Sequence, residues 1–317
     1  MTNGITVGEA AAQWQSEGWV LVPDLVPAET IDAAVEELWH IYPRPEEFHD
    51  PGHPRRAAFL EAKPPSWAPN AEDPAEPAFR EEQFAGHQTF PFTSKGPLNR
   101  LVVHPRILEF VEVALDHRDI RLYQAGIWAK YAGAANYSQP LHLDRNHSLV
   151  PARMAPGWWY LEGFLYLNDV DESNGAPQLL RLEDAPPVDP GCPIEPADEL
   201  FAKTVSAPGR RGSFLAYRGD VWHRAVDLEA PGSSRFVLIV CFKLAGQDWI
   251  GFDAMNKIVD HWLFPDFVAH STPRELEVVG VPAPGHPFWT ARGVEALALK
   301  YPGLDVEPWR RALVGAD

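Results

Sequence analysis

Cysteine is nearly absent. The 317 residues contain two, Cys192 and Cys241, too few for a disulfide framework or a cysteine-rich zinc site. Stability therefore has to come from an apolar core, which a chain of this length can bury. Basic residues are also scarce: Lys and Arg total 27 against 44 Asp and Glu, a net charge of −17. A phosphate-backbone partner needs clustered cations, so no nucleic-acid partner is expected. No uninterrupted apolar run reaches bilayer length, and no membrane span is expected. The opening MTNGITVGEAAAQWQ has no basic stretch leading into an apolar one, as a secretory signal would. A reducing, cytoplasmic location is the expectation. There is no internal repeat, no GxGxxG following a strand and no P-loop.

Proline and tryptophan are plentiful, at 32 and 12 residues. They point to long ordered loops with aromatic content, as around a pocket. The start reads helix, strand, helix. AAQWQSEG ends at Gly18, a helix stop; WVLVPDLV (19–26) is β-rich and stopped by prolines; in AETIDAAVEELWHIY, Ile31, Val35, Leu38 and Trp39 fall at helical spacing. Residues 41–98 are rich in proline, charge and aromatics and show no period. Trp67, Phe79, Phe84, Phe90 and Phe92 argue against disorder there. The segment reads either as a partly ordered, lid-like insertion or as a plain structural excursion. HPRILEFVEVAL restores a helix with Ile107, Phe110, Val111 and Ala114 on one face.

From Ile120 the texture becomes β. DIRLYQAGIWAKY, LHLD, WWYLEGFLYLNDV, GSFLAYRG and SRFVLIVCFK are short apolar or alternating runs, separated by turns such as Asn174-Gly175 and Pro231-Gly232. Strands without intervening helices imply an antiparallel sandwich or barrel, such as a jelly roll. The expected fold is mostly β with flanking helices, a cupin-like double-stranded β-helix. The expected organisation is one domain over 1–317, with a mixed helical extension at 251–317.

The polar run QPLHLDRN (139–146) sits among these strands. Residues two apart on a strand face the same side, so His142 and Asp144 would present an imidazole and a carboxylate together. These are two of the three ligands of a 2-His-1-carboxylate iron site. A hydrogen-bonded structural pair has the same spacing, and the pattern recurs at His117 and Asp119, where it follows a helix end and looks like a loop. A third ligand has to come from a distant strand. His223, in GSFLAYRGDVWHRAV, is a candidate; a packed histidine beside Trp222 is the alternative. Arg235 heads an otherwise apolar strand twelve residues later. A buried guanidinium is costly unless an anion meets it, and a carboxylate is its best bidentate partner; a solvent-facing strand end is the alternative. Ser233 either assists the same anion or simply serves the turn.

These segments, in this order, resemble the phytanoyl-CoA dioxygenase family of Fe(II)- and 2-oxoglutarate-dependent oxygenases. EGWVLVPDLVPAETIDAAVEEL is similar to the family's opening, and HPRILEFVEVAL with DIRLYQAGIWAKY to the helix and strand before its iron motif. QPLHLD resembles the HxD segment, EGFLYLNDVDESNGAPQLL the strand and acidic turn after it, and GSFLAYRGDVWHRAV with SSRFVLIV the distal histidine and oxoglutarate-binding segments. The likeness spans about residues 5–245. The chain departs from the family where LLRLEDAPP stands in place of a Gly-Ser-His segment.

The resemblance implies Fe(II) held by His142, Asp144 and His223. It implies 2-oxoglutarate held by Arg235, and dioxygen as the oxidant. Gln124, on the strand before the motif, carries over as a cosubstrate or substrate contact. Halogenating relatives lack the carboxylate ligand, so Asp144 favours hydroxylation of a small natural-product or lipid-like substrate. Aromatics of 41–98, with Trp158 and Trp159, would form the substrate wall. Arg55, Arg56, Arg100, Arg210 and Arg211 are the cations available for a larger anionic substrate. Two other readings compete: a cupin-type metalloenzyme that uses no oxoglutarate, and a non-catalytic small-molecule-binding barrel.

Overall fold

The computed structural model describes residues 5–62, 82, 84–92, 95–144, 147, 149, 160–185, 198–251, 253 and 261–314. Its strands are β1 (Trp19–Val22), β2 (His87–Thr89), β3 (Ile120–Tyr131), β4 (Tyr160–Tyr166), β5 (Gln178–Leu179), β6 (Val205–Ser206), β7 (Phe214–Arg218), β8 (His223–Arg224) and β9 (Ser234–Leu244). One sheet has the order β1-β7-β4-β9-β3-β2, and a smaller one the order β6-β5-β8. Every pairing is antiparallel. This is the jelly-roll architecture with flanking helices.

The large sheet separates core from cavity by alternation. Its outer face carries Ala125, Ile127, Ala129 and Tyr131 of β3, Phe236, Leu238, Val240 and Phe242 of β9, and Phe214 and Ala216 of β7. These pack against buried helix residues, among them Trp14, Ile31, Leu38, Ile107 and Phe110 from the N-terminal half and Phe267, Leu276, Val294 and Trp309 from the C-terminal helices. The inner face offers Trp128, Phe164, Tyr217, Val237 and Ile239 to a cavity.

Local signals explain the frame. Helix Val7–Glu17 opens with a Thr6/Glu9 capping box and closes at Gly18, with φ +89°, a left-handed conformation that favours glycine. Helix Pro105–Ala114 buries Ile107, Leu108, Phe110, Val111 and Ala114. The Asn174-Gly175 turn is a 3-10 turn, Glu172–Asn174, capped by Asp171 and ended by Gly175 at φ +77°. In the 41–98 segment, helices Pro45–His49 and Pro54–Glu61 lie on the outer face, where Phe48 stacks on Tyr131 at 4.0 Å. Phe90 and Phe92 are core residues; Phe84 lines the cavity. Trp67 and Phe79 lie outside the described residues, as do Trp158 and Trp159.

Phe110 is wholly buried and meets Phe214 edge-on at 5.9 Å, whereas Val113 on the same helix is 43% exposed. Phe110→Ala is expected to cost about 3–5 kcal/mol. Val113→Ala should cost below about 0.5 kcal/mol. Urea unfolding of the two variants checks the sheet–helix interface; equal losses would contradict it.

Candidate metal centre

His142 is positioned by backbone pairing with β8. His142 N donates to His223 O and His223 N to His142 O, each at 3.0 Å. The pairing is an isolated bridge rather than a strand, because Pro140 next to it has no N–H to extend the ladder. The bridge nevertheless brings the imidazole rings to 4.5 Å between centroids.

Ring orientation follows from the other nitrogen. His142 Nδ1 donates to Pro140 O at 2.8 Å, and His223 Nδ1 to Val221 O at 3.0 Å. Both Nε2 atoms are thereby turned to Asp144, at 3.7 Å from Oδ1 for His142 and 3.3 Å from Oδ2 for His223. Tyr217 on β7 donates to Asp144 Oδ2 at 3.2 Å. The turn that delivers His223 is braced by a buried Arg218–Asp220 pair, with bonds of 2.8 and 2.9 Å, and Arg218 also reaches Gln15 O. Ligand atoms of His142, Asp144 and His223 all lie within 4.8 Å of one another.

The electrostatics suit a cation. Burial and the neighbouring His223 push His142 down to about 4, so it is neutral at neutral pH, as a metal ligand must be. Burial works to raise Asp144, but His223, His147 and His142 outweigh it and hold the carboxyl well below its usual range. Burial lowers His223, while the Asp144 carboxylate more than offsets this and raises it.

Arg235, at the head of β9, is buried and donates to Gly175 O, and its Nε meets no partner among the described residues. Lys130 lies opposite it on β3, bonded to the carbonyls of Tyr137 and Val226. Burial and Arg235 push this lysine down to about 6. Ser233 is not brought to the site: its hydroxyl donates to Ala230 O at 2.7 Å within the turn, outside the cavity lining. Gln124 does line the cavity.

The second HxD pair is a surface loop, in which Asp119 N donates to an exposed His117 and Asp119 pairs with Arg121. The arginines available for a large anion are engaged locally: Arg55 with Glu47, Arg56 with Phe48 O, Arg100 with Glu275 and Arg211 with Asp32.

The cavity, about 450 Å³, contains groups the sequence reading passed over: Gln139, His147, Glu162 and Tyr217. Glu162 is 1% exposed and accepts from Tyr123 Oη and, at 2.8 Å, from His147 Nδ1. A charged residue inside the apolar run YLEGFLYL was the available signal, by the same reasoning that singled out Arg235.

A family model for phytanoyl-CoA dioxygenase (PhyH) matches residues 14–235. The chain belongs to the phytanoyl-CoA dioxygenase family. Membership makes it an enzyme of the iron- and 2-oxoglutarate-dependent superfamily, with those two cofactors. Two imidazoles and a carboxylate on one side of a point are a donor set for such iron, and a buried guanidinium with a spare N–H suits the cosubstrate's carboxylate. The residues present thus fit both groups.

Two solved structures of SnoN, a non-heme alpha-ketoglutarate-dependent epimerase from nogalamycin biosynthesis, share the fold. One has a TM-score of 0.53 at 17% identity, covering 75% of this chain and 81% of that one. The other, in complex with Fe3+, alpha-ketoglutarate and nogalamycin RO, has a TM-score of 0.52 at 17% identity, covering 75% and 84%. AviO1 from Streptomyces viridochromogenes Tue57 matches at a TM-score of 0.49 and 13% identity, over 78% of this chain and 100% of that one. No curated protein sequence matches this family member. Among its described residues no helix is long and apolar enough to cross a membrane.

Burial works to lower His147, but the Glu162 and Asp144 carboxylates outweigh it and raise the imidazole from 6.5 to about 9. A raised base stabilises the fold fully below its unfolded pKa, and that contribution is lost as pH rises through the folded value. In metal-free protein the Tm gap between wild type and His147→Gln is therefore expected to narrow by several degrees between about pH 6.5 and about pH 9.5. A constant gap would show that His147 carries no charge in the fold.

Proposed function

We propose that the chain is an Fe(II)- and 2-oxoglutarate-dependent oxygenase that hydroxylates an unactivated C–H bond of a small organic substrate, natural-product or lipid-like, in a single domain. The observation that carries this reading is the convergence of His142 Nε2, His223 Nε2 and the Asp144 carboxylate, with both Nδ1 atoms tied to backbone carbonyls.

In this reading His142, Asp144 and His223 hold iron, and Arg235 clamps the distal carboxylate of 2-oxoglutarate. Iron with 2-oxoglutarate and dioxygen supplies the oxidation, and the cosubstrate leaves as succinate and CO2. The protein's own part is positioning. Tyr217 fixes the Asp144 carboxylate through its hydrogen bond. Backbone carbonyls fix the imidazoles in the tautomer that leaves Nε2 for the metal. Trp128, Phe164, Val237 and Ile239 exclude water from the space beside them. Asp144 completes the ligand set, which favours hydroxylation over halide transfer. The cavity volume lies within the usual range for small-molecule sites, about 300–1,000 Å³.

Anaerobic titration with Fe(II), and succinate formation from 2-oxoglutarate with ascorbate, test the proposal. Asp144→Ala is expected to abolish stoichiometric iron retention. Arg235→Met should weaken 2-oxoglutarate binding by about 30-fold or more, the cost of removing one partner of a buried charge pair. A substrate product heavier by one oxygen separates hydroxylation from the epimerisation named for SnoN. Wild-type protein that neither holds iron nor forms succinate would sink the reading.

A further inference from the structure

The cavity has two chemically different ends, and strand register orders them. Lys130 lies opposite Arg235 at one end of the β3–β9 pair, and Gln124 lies opposite Cys241 near the other. On the far side of β9, Leu161 pairs with Phe242 and Phe164 with Ile239, which sets Glu162 beside Cys241. Glu162 pairs in turn with Tyr217. Gln124, Cys241, Glu162 and Tyr217 therefore form a polar rung across the inner face. From Arg235 to Cys241 is six residues, about 20 Å at about 3.3 Å per residue. That is longer than a five-carbon diacid and the arginine that holds it.

Two features mark this rung as built for a ligand. The first is Gln124, which is 5% exposed and lines the cavity, yet its Oε1 meets no hydrogen-bond partner among the described residues. A buried acceptor left unmet is a standing cost that a ligand donor relieves. It faces inward by alternation with Ala125 and Ile127, and a bulge adds a neighbour: the β3–β9 register shifts between Leu122 and Gln124, so that Tyr123 is the extra residue. Leu122 and Ala125 belong to the outer core, while Tyr123 and Gln124 both serve the inner side. The second is Glu162, a buried carboxylate in the cavity wall, oriented by Tyr123 and His147. One of its oxygens lies within 4.8 Å of Asp144 and His147 ligand atoms. The rung thus presents two acceptors on the cavity wall, of which Glu162 lies beside the metal centre.

We infer that this rung is the substrate-recognition end, and that it takes a molecule carrying an O–H or N–H donor close to the carbon to be oxidised, received by Gln124 Oε1 and the Glu162 carboxylate. The inference rests on the oxygenase reading and narrows its substrate class, because a bare hydrocarbon would leave Gln124 Oε1 unmet and make no use of the Glu162 carboxylate beside it.

Three ring-sized probes of similar shape test it: cyclohexanol, cyclohexylamine and methylcyclohexane. Each is titrated anaerobically into protein loaded with Fe(II) and 2-oxoglutarate, with binding read from tryptophan fluorescence, since Trp128 lines the cavity. Wild type is expected to bind at least one donor probe about tenfold or more tightly than methylcyclohexane, the worth of one hydrogen bond to a charged acceptor. Whether the alcohol or the amine leads identifies the donor. Glu162→Gln and Gln124→Met should each erase most of that preference, and Gln124→Met should leave the metal-free Tm unchanged or higher because it removes an unmet acceptor. Should Glu162→Gln fail to fold, Gln124→Met decides alone. Equal affinity of wild type for the three probes overturns the inference, as does a preference that survives both substitutions. A loss of 2-oxoglutarate affinity in Gln124→Met as large as its probe effect would assign Gln124 to the cosubstrate and overturn it too. Titrations of the protein with Fe(II) and 2-oxoglutarate before any probe is added keep the readings apart, since failure to bind those two sinks the oxygenase reading and indifference to donors sinks this one.

Discussion

The reciprocal pair of backbone hydrogen bonds between residues 142 and 223 is the constraint on which the centre depends. The two histidines are 81 positions apart along the chain, and the backbone pairing is what sets one beside the other. The bridge fixes both main chains at 3.0 Å, and the carbonyls of Pro140 and Val221 then fix both rings. Everything that makes the site suitable for a cation, including the depressed carboxyl of Asp144, follows from that placement. The Arg218–Asp220 brace and its reach to Gln15 tie the arrangement to the first helix. The metal-facing side chains therefore rest on the same framework that buries the core.

Much of this was legible in the sequence, and the reasons differ from residue to residue. Gly18 ends a helix because only a residue without a side chain tolerates its backbone angle cheaply, and that is a local property. Spacing raised His142 and Asp144, and their segments raised His223 and Arg235; for all four a structural alternative stood beside the ligand reading until the family likeness was added. Ser233 stood between two readings, and its hydroxyl bonds a nearby carbonyl within the turn, which leaves no trace in the residue pattern. The arginines at 55, 56, 100 and 211 looked available as a group, yet each is engaged by a local partner. Such partners are set by tertiary contacts rather than by neighbours in the chain. Lys130, Glu162 and His147 were passed over for the opposite reason. Each is a charged or titratable side chain whose significance lies in what the sheet places across from it.

The long segment after residue 41 shows why composition left two readings open. Its prolines and charges suggested an excursion from the fold, but Phe48 and Phe59 pack on Tyr131 behind the large sheet, and Phe90 meets Phe267. Aperiodic sequence is compatible with burial when short helices contribute one aromatic each.

That inner face owes part of its polarity to a single extra residue in β3. Were Tyr123 deleted, strict alternation would resume with Leu122 still facing the core and Gln124 the cavity, and Glu162 would lose the hydroxyl that orients it. The metal-facing trio would be untouched, because His142, Asp144 and His223 lie outside that strand. Loss of one amino acid in β3 would thus alter one wall of the cavity while leaving the three candidate ligands in place.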